Sequence, residues 1–133
     1  MKAKKVHSIW IEELPNKIQK TKKSVVYISW NTLFSTPHHT VRTKLVNQMK
    51  EIIIPHLNKL GDLEPPITIH LDYYCNRTAY DIDNKTIWFK IIMDVLKDWK
   101  IEDDNVKYVK GVSITAHVHK KKIDSMEIKI TEI

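Results

Sequence analysis

Ile67-Thr68-Ile69-His70-Leu71-Asp72-Tyr73 is the stretch that decides the fold of this chain. Apolar and polar side chains alternate along it, which predicts a strand with one buried face. A short polar segment follows, and then the apolar side chains of residues 84–100 recur at helical spacing over a broad surface. A half-buried strand followed by such a helix predicts a helix packed on one face of a sheet.

The rest of the chain supplies further strands and one more helix. Residues 25–30 are rich in β-branched and aromatic side chains, which predicts a strand. A helix is expected from Thr36-Pro37 to a kink or end at Pro55. Residues 112–118 and 126–130 again alternate, and the polar run between them predicts a hairpin. The expected fold is α+β in the order β-α-β-α-β-β, a single small mixed sheet of about four strands with two helices packed on one face.

The N-terminal region carries most of the net charge. The chain has 133 residues and a formal charge of +6, and its first 23 residues hold seven Lys against two Glu, which gives 7 − 2 = +5. Within this region Val6 to Ile11 predicts an extended segment or an extra edge strand, and the polar residues 16–23 are typical of a linker. We therefore expect a basic extension over residues 1–23 and one domain over residues 24–133. The extension either contacts phosphate backbones or is a solvated terminus.

The cysteine content and the hydropathy argue against a disulfide-bonded, membrane-spanning or secreted protein. Cys75 is the only cysteine, so no internal disulfide can form, and it is expected to be a buried thiol. No apolar run approaches the roughly 18 residues of a membrane span, and the basic N-terminus is not followed by a signal-peptide core. We expect a soluble, cytoplasmic protein with no membrane partner.

Carboxylates cluster at two places in the second half of the chain. Asp81 and Asp83 are two residues apart, so in an extended segment they share one face. Asp103 and Asp104 follow the predicted helix, which is expected to bring them back to the first pair. Hard oxygen ligands of this kind suit Mg²⁺, with Mn²⁺ as a substitute. The alternative is structural, because acidic residues at a helix start interact favourably with the helix dipole.

Two other groups have both a functional and a plain interpretation. Lys90 lies one or two turns inside the predicted helix, where it either stabilises phosphoryl charge or is a solvated lysine. His117 and His119 share one face of a strand, which suits a metal or phosphate contact, although exposed strand residues of this kind are common.

Four blocks of sequence, in order, resemble the RusA-type Holliday junction resolvases (crossover junction endodeoxyribonucleases). The family members are small, Mg²⁺-dependent, homodimeric endonucleases of bacteria, their phages and prophages. The resemblance covers about residues 65–133. The blocks are Asp81-Ile82-Asp83-Asn84, Lys90-x-x-x-Asp94-Val95-Leu96, Asp103-Asp104-Asn105-Val106 and Glu127-Ile128-Lys129-Ile130-Thr131-Glu132.

The resemblance implies roles for individual residues. It implies that Asp81, Asp83 and Asp104 are the metal ligands and that Lys90 is the catalytic lysine. It also implies supporting roles, which orient the ligands, for Asp103, Asn84 and Asp94. One departure bears on this assignment, because the gap between Asn84 and the helical lysine is about three residues longer than in the family. Lys85 is therefore a rival, and Lys90 is preferred because Asp94-Val95-Leu96 stands at the right distance after it.

The expected function is Mg²⁺-dependent phosphodiester hydrolysis that resolves four-way DNA junctions by paired cuts during recombination and repair. A junction has two-fold symmetry, so a homodimer with two sites suits the task. DNA-backbone contacts are expected from basic residues near the site, namely Arg77, Lys85, Lys97 and Lys100. Two alternatives stay open: a non-catalytic domain that binds branched nucleic acid, and a metal-dependent phosphohydrolase acting on small phosphates.

Overall fold

A four-stranded mixed sheet lies at the centre of the protein in a computed structural model, which describes residues 5–78 and 81–133. The fold is therefore α+β with a small mixed sheet, as the sequence predicted. In chain order the elements are β1 (Val6–Leu14), β2 (Lys17–Thr21), β3 (Ser24–Tyr27), α1 (Trp30–Phe34), α2 (His39–Leu57), β4 (Ile67–Cys75), α3 (Ile82–Lys85), α4 (Ile87–Trp99), β5 (Val109–Val118) and β6 (Asp124–Glu132).

The strands of the sheet lie in the order β1-β6-β4-β5. β4 and β5 are parallel, whereas β6 is antiparallel to both of its neighbours, β1 and β4. The prediction that the last two strands form a hairpin is wrong, because β4 lies between them. The polar run of residues 119–123 instead carries the chain past β4.

The first strand of the sheet is β1, and not the segment predicted at residues 25–30. That segment is strand β3, which pairs with β2 in a separate two-stranded sheet. The extra edge strand expected around residues 6–11 is confirmed, since β1 pairs along β6. The segment 16–23 was interpreted as a linker, but residues 17–23 form β2 and the turn that follows it.

The N-terminal region is consequently part of the folded unit. Ile9, Ile11 and Leu14 of β1 are buried in the common core, and so is Ile18 of β2. The predicted boundary between residues 23 and 24 does not follow the fold, because it would separate an edge strand from its sheet. The apolar alternation of β1 is short and is followed by charged residues, which explains why composition alone suggested an extension.

The core lies between the two long helices and one face of the sheet. Alternate residues of β4, namely Ile69, Leu71 and Tyr73, are buried in it, as period-2 side-chain placement requires. α2 packs against α4 and against β1. α2 contains Pro55 in its last turn and ends two residues later, in line with the prediction for that proline.

Cys75 is a buried free thiol at the end of β4, as expected. Among the described residues, no helix combines the length and the apolar composition that crossing a membrane would require.

Candidate functional site

Asp81 and Asp83 lie at the short helix α3. Asp81 immediately precedes this helix, and its side chain makes no capping hydrogen bond. Asp83 lies in the first turn, and both residues are exposed. Asp83 therefore lies where the helix-dipole alternative places an acidic residue, although Asp81 makes no capping hydrogen bond, and both carboxylates face solvent.

Lys85 fixes the position of α3 against the sheet. It is only 5% exposed, and its Nζ donates to the Ile28 carbonyl at 3.3 Å. The same atom lies 5.8 Å from the centre of the Tyr73 ring, near the carboxyl end of β4. Burial lowers the pKa of the Lys85 ammonium, and the nearby Asp124 and Cys75 oppose that shift. The prediction that Lys85 is an exposed DNA contact is therefore wrong.

Asp103 and Asp104 lie in the turn that precedes β5. The Asp103 carboxylate accepts hydrogen bonds from the Asp104 N–H at 2.8 Å and from the Asn105 side-chain amide at 3.1 Å. The hydrogen bond from Asp104 lowers the pKa of the Asp103 carboxyl, and Lys97, at 3.7 Å, adds to that effect. Asp103 therefore stabilises the local turn that carries Asp104.

The two acidic segments lie at opposite ends of the β4–β5 pair. These strands are parallel, and Ile67 at the start of β4 pairs with Val109 at the start of β5. α3 lies at the other end, and α4 spans the interval with 13 residues. At 1.5 Å per residue this helix is about 20 Å long. A crossover between parallel neighbours must return to the starting end of the sheet, so Asp103 and Asp104 are far from Asp81 and Asp83.

The prediction that the three metal ligands meet within one chain is therefore wrong. Metal–oxygen bonds in Mg²⁺ and Ca²⁺ sites measure about 2.0–2.6 Å, so the ligands of one ion must lie close together, and residues at opposite ends of a strand pair do not. Across residues 5–78 and 81–133, no group of three or more His, Cys, Asp or Glu side chains is placed to hold a metal ion. One chain alone does not fit a three-aspartate ion site.

Lys90 lies in the first turn of α4. Its Nζ donates to the Asp94 carboxylate at 3.1 Å, one helical turn away, and its side chain stays 42% exposed. Asp94 therefore orients the Lys90 side chain along the surface of α4. Asn84, on α3, is half-buried.

The remaining predicted DNA contacts differ in exposure. Arg77 and Lys97 are exposed. Lys100 is half-buried, and its Nζ donates to the Leu60 carbonyl at 2.9 Å. Only the first two side chains are presented to solvent in the way that the prediction requires.

Asp72 is the centre of a polar network that sequence reasoning missed. It lies on the sheet face opposite the core and contacts His117 at 2.8 Å, Lys129 at 3.1 Å and His70 at 3.2 Å. Burial raises the pKa of Asp72, but the hydrogen bonds from His117, Lys129 and His70 outweigh it and lower the pKa to about 2. The alternation of polar residues along β4 indicated this face, but the sequence does not show which strands are neighbours.

A groove between α1, α2 and α4 was also missed, because residues 31–36 were interpreted as a loop. Trp30 and Phe34 stack there with ring centres 5.6 Å apart and planes 16° from parallel. The Trp30 indole N–H donates to Thr86 Oγ1 at 3.0 Å, directly after α3. The groove has a volume of about 390 Å³, and Lys90 is among its lining residues. The spacing of four between the two aromatic residues was the available signal.

Comparison with known proteins adds no family assignment. No family model matches the chain, and a search of curated proteins gives no match.

Proposed function

We propose that the protein is a Mg²⁺-dependent, structure-specific endodeoxyribonuclease that resolves four-way DNA junctions by paired cuts, and that it works as a homodimer. The observation that carries this proposal is the pair Asp81 and Asp83, exposed together at α3 within four ordered sequence blocks that resemble one nuclease family. Neither residue contributes to the core, and both stay exposed to solvent, where a metal ion could reach them.

The separation of the acidic segments leads to the second part of the proposal. In our account, each site combines Asp81 and Asp83 of one copy with Asp104 of a second copy. Such an arrangement requires that the start of β5 in one copy lies beside the end of β5 in the other. Antiparallel pairing of two β5 edges about a two-fold axis has this property, and it produces two equivalent sites.

The edge of β5 has the features of a pairing surface. In the described sheet β5 has β4 as its only neighbour. Residues 111–118 contain no Lys, Arg, Asp, Glu or Pro, although exposed edge strands usually carry such residues as protection against pairing. Val112 is 48% exposed and Val118 is 62% exposed, so the apolar side of this strand is uncovered in one chain.

Charge at the two ends of β5 supports the antiparallel direction. Residues 102–104 are Glu-Asp-Asp, ahead of the strand, and residues 120–122 are Lys-Lys-Lys, after it. Antiparallel pairing puts the acidic segment of one copy near the basic segment of the other. Parallel pairing would instead put like charges together, which is unfavourable.

The proposed chemistry assigns separate tasks to the side chains. Asp81, Asp83 and Asp104 would bind Mg²⁺, which when bound neutralises the scissile phosphate and activates water. Lys90, oriented by Asp94, would offset charge that develops on the phosphate. Arg77 and Lys97 would contact the DNA backbone, which positions branched DNA without reading its sequence. The list of proposed ligands is the same as the resemblance implies, but it is divided between two chains.

The exposure of the aspartates also separates this function from its rivals. A phosphohydrolase for small phosphates needs an enclosed pocket that surrounds its substrate, whereas Asp81 and Asp83 lie open to solvent. A purely DNA-binding domain gains nothing from exposed carboxylates, because they repel phosphate. Both considerations favour a nuclease acting on a long substrate.

Cleavage of a synthetic four-way junction tests the proposal. We expect paired cuts that require Mg²⁺, and we expect their loss in Asp83→Asn while junction binding in EDTA persists. Selective junction binding by wild type without cutting would favour the non-catalytic alternative. Asp62→Asn, which changes an exposed aspartate elsewhere, is the matched control and should cut at the wild-type rate.

A further inference from the structure

The groove between α1, α2 and α4 combines an exposed aromatic platform with cationic side chains. Phe34 is 79% exposed, although the adjacent Leu33 is buried. Its ring is held by stacking on Trp30, which is itself fixed by the hydrogen bond to Thr86. An isolated exposed apolar residue is ordinary on a protein surface, but Phe34 stacks on a second ring at the edge of a groove and leaves its outer face open to a ligand.

The charge lining this groove is entirely positive. Arg42 and Lys50 both line the groove from α2, eight residues or about two helical turns apart, and Lys90 lines it from α4. No Asp or Glu belongs to the lining in the described part of the chain. Lys90 already pairs with Asp94, so Arg42 and Lys50 are the cations best placed to receive an anionic ligand.

We propose that this groove binds an unpaired nucleic-acid strand, with a base stacked on Phe34 and the phosphates on Arg42 and Lys50. Successive aromatic and cationic contacts of this type bind single strands without sequence preference. A base is a better fit than an apolar peptide, because the cations around the ring match the phosphates that accompany every base. Unpaired bases occur where a branched DNA opens.

The groove also lies next to the proposed cleavage residues. Thr86, which accepts the Trp30 hydrogen bond, donates through its hydroxyl to the Asp83 carbonyl. A strand held on Phe34 would therefore pass close to α3. This connection to cleavage rests on the proposed function, whereas single-strand binding by the groove does not.

Fluorescence anisotropy with a labelled oligothymidylate of about twelve nucleotides, near the site sizes of single-strand binders, tests the inference. The full chain is used in EDTA, so that cutting does not enter the measurement. Phe34→Ala should weaken binding roughly tenfold with an unchanged salt slope, because stacking is not electrostatic. Phe34→Trp should restore affinity. Wild-type affinity in Phe34→Ala would overturn the proposal.

Removing the Arg42 and Lys50 charges tests the same groove independently, through the salt dependence of oligothymidylate binding. The double variant Arg42→Ala/Lys50→Ala should flatten the logarithmic salt slope by about 1.4, the value for two lost single-strand phosphate contacts. Lys44→Ala, an exposed charge on α2 outside the lining, and Trp99→Ala, an exposed ring elsewhere, serve as controls and should bind normally. An unchanged slope in the double variant would contradict the assigned phosphate contacts.

These outcomes are separable from failure of the nuclease proposal. If oligothymidylate binds through Phe34 but no junction is ever cut, the groove is a single-strand site and the proposed activity is wrong. If junctions are cut while Phe34→Ala leaves binding unaffected, the activity stands and the groove inference is wrong.

Discussion

The two edge strands of the sheet differ in how their apolar side chains are covered. β5 alternates apolar and polar residues over 112–118, whereas β1 has the apolar run Ile9-Trp10-Ile11, and each strand has a single neighbour in the described sheet. The apolar side of β1 is covered, with Ile9 and Ile11 buried, and its pairing with β6 is irregular between Ile11 and Leu14. The apolar side of β5 is largely exposed, and its pairing with β4 is regular from Thr68 onward.

This difference separates folding from assembly. β1 carries the exposed pair Glu12-Glu13 just before its last residue, and irregular pairing with nearby charge is a known protection against unwanted strand addition. β5 has no such protection over residues 111–118. We therefore assign β1 to the stability of one chain and β5 to contact between two chains.

Removal of β1 should have the largest effect. Deleting residues 1–14 removes three buried aliphatic side chains, each contributing about 1.5–3 kcal/mol, and exposes the edge of β6. The total approaches the whole stability of a small domain, about 5–15 kcal/mol. We expect no cooperative thermal transition by circular dichroism. Glu12→Gln/Glu13→Gln keeps the strand and should unfold normally; a cooperative transition in the shortened chain would refute the role given to β1.

A charge on β5 should break the dimer without unfolding the chain. Val112→Lys introduces an ammonium on the proposed contact, where its unpaired burial should raise the dimer dissociation constant on the order of 100-fold. Sedimentation equilibrium should report twice the chain mass for wild type and the single mass for the variant. Ser8→Lys, an exposed position on β1, is the matched control and should remain dimeric. Equal masses for wild type and Val112→Lys would contradict the β5 interface.

Asp72 should make an intermediate, pH-dependent contribution to the free energy of unfolding, because its contact with His117 connects β5 to β4 at the centre of the sheet. The pKa of Asp72 is lowered from 3.8 to about 2 in the folded state, so its contribution is complete above about pH 4 and is lost as the pH falls through 2. We expect Asp72→Asn to lower the free energy of unfolding on the order of 2 kcal/mol at pH 7 and about half as much at pH 3. Urea unfolding of wild type and Asp72→Asn at the two pH values measures both differences. An equal difference at pH 7 and pH 3 would contradict the lowered pKa assigned to Asp72.

Lys90 should have the smallest effect on stability and a clear effect on cutting. Its ion pair with Asp94 is partly exposed and spans one helical turn, so Lys90→Met should change the free energy of unfolding by less than about 0.5 kcal/mol. If Lys90 stabilises phosphoryl charge, the cutting rate should fall roughly 100-fold. A junction-cutting assay at saturating protein separates the two; an unaltered rate would leave Lys90 as an ordinary helix lysine.

Local sequence patterns predicted most of the helices and strands, but they did not predict which strands lie next to each other in the sheet. Alternation in residues 67–73 and helical spacing in residues 84–100 correctly identified β4 and α4, because both signals depend on a single buried face. No local pattern indicates the order of strands in a sheet. The predicted β5–β6 hairpin is therefore wrong, because β4 lies between these two strands. The prediction that residues 25–30 form a strand of the main sheet was wrong for the same reason, since β3 lies outside that sheet.

For the candidate site, too, the sequence predicted local features better than contacts between distant segments. The spacing of Asp81 and Asp83 predicted two carboxylates on one face of an extended segment, whereas Asp83 lies in the short helix α3 and Asp81 directly precedes it. The expected approach of Asp104 depended on topology, and a parallel crossover carries it to the opposite end of the sheet. The buried state of Lys85 depended on packing against Tyr73, which is distant in sequence.

Mixing two inactive variants tests the central claim, that each site combines residues of two chains. Asp83→Asn and Asp104→Asn are combined in equal amounts and allowed to exchange subunits before a four-way junction is added with Mg²⁺. In the proposed dimer, each mixed pair has one site with both changes and one intact site. Half of the dimers are mixed, so nicking should recover to about a quarter of the wild-type rate. The control mixture of Asp81→Asn with Asp83→Asn, in which every site is damaged, should stay inactive. No recovery in the first mixture, with subunit exchange verified, would contradict a shared site.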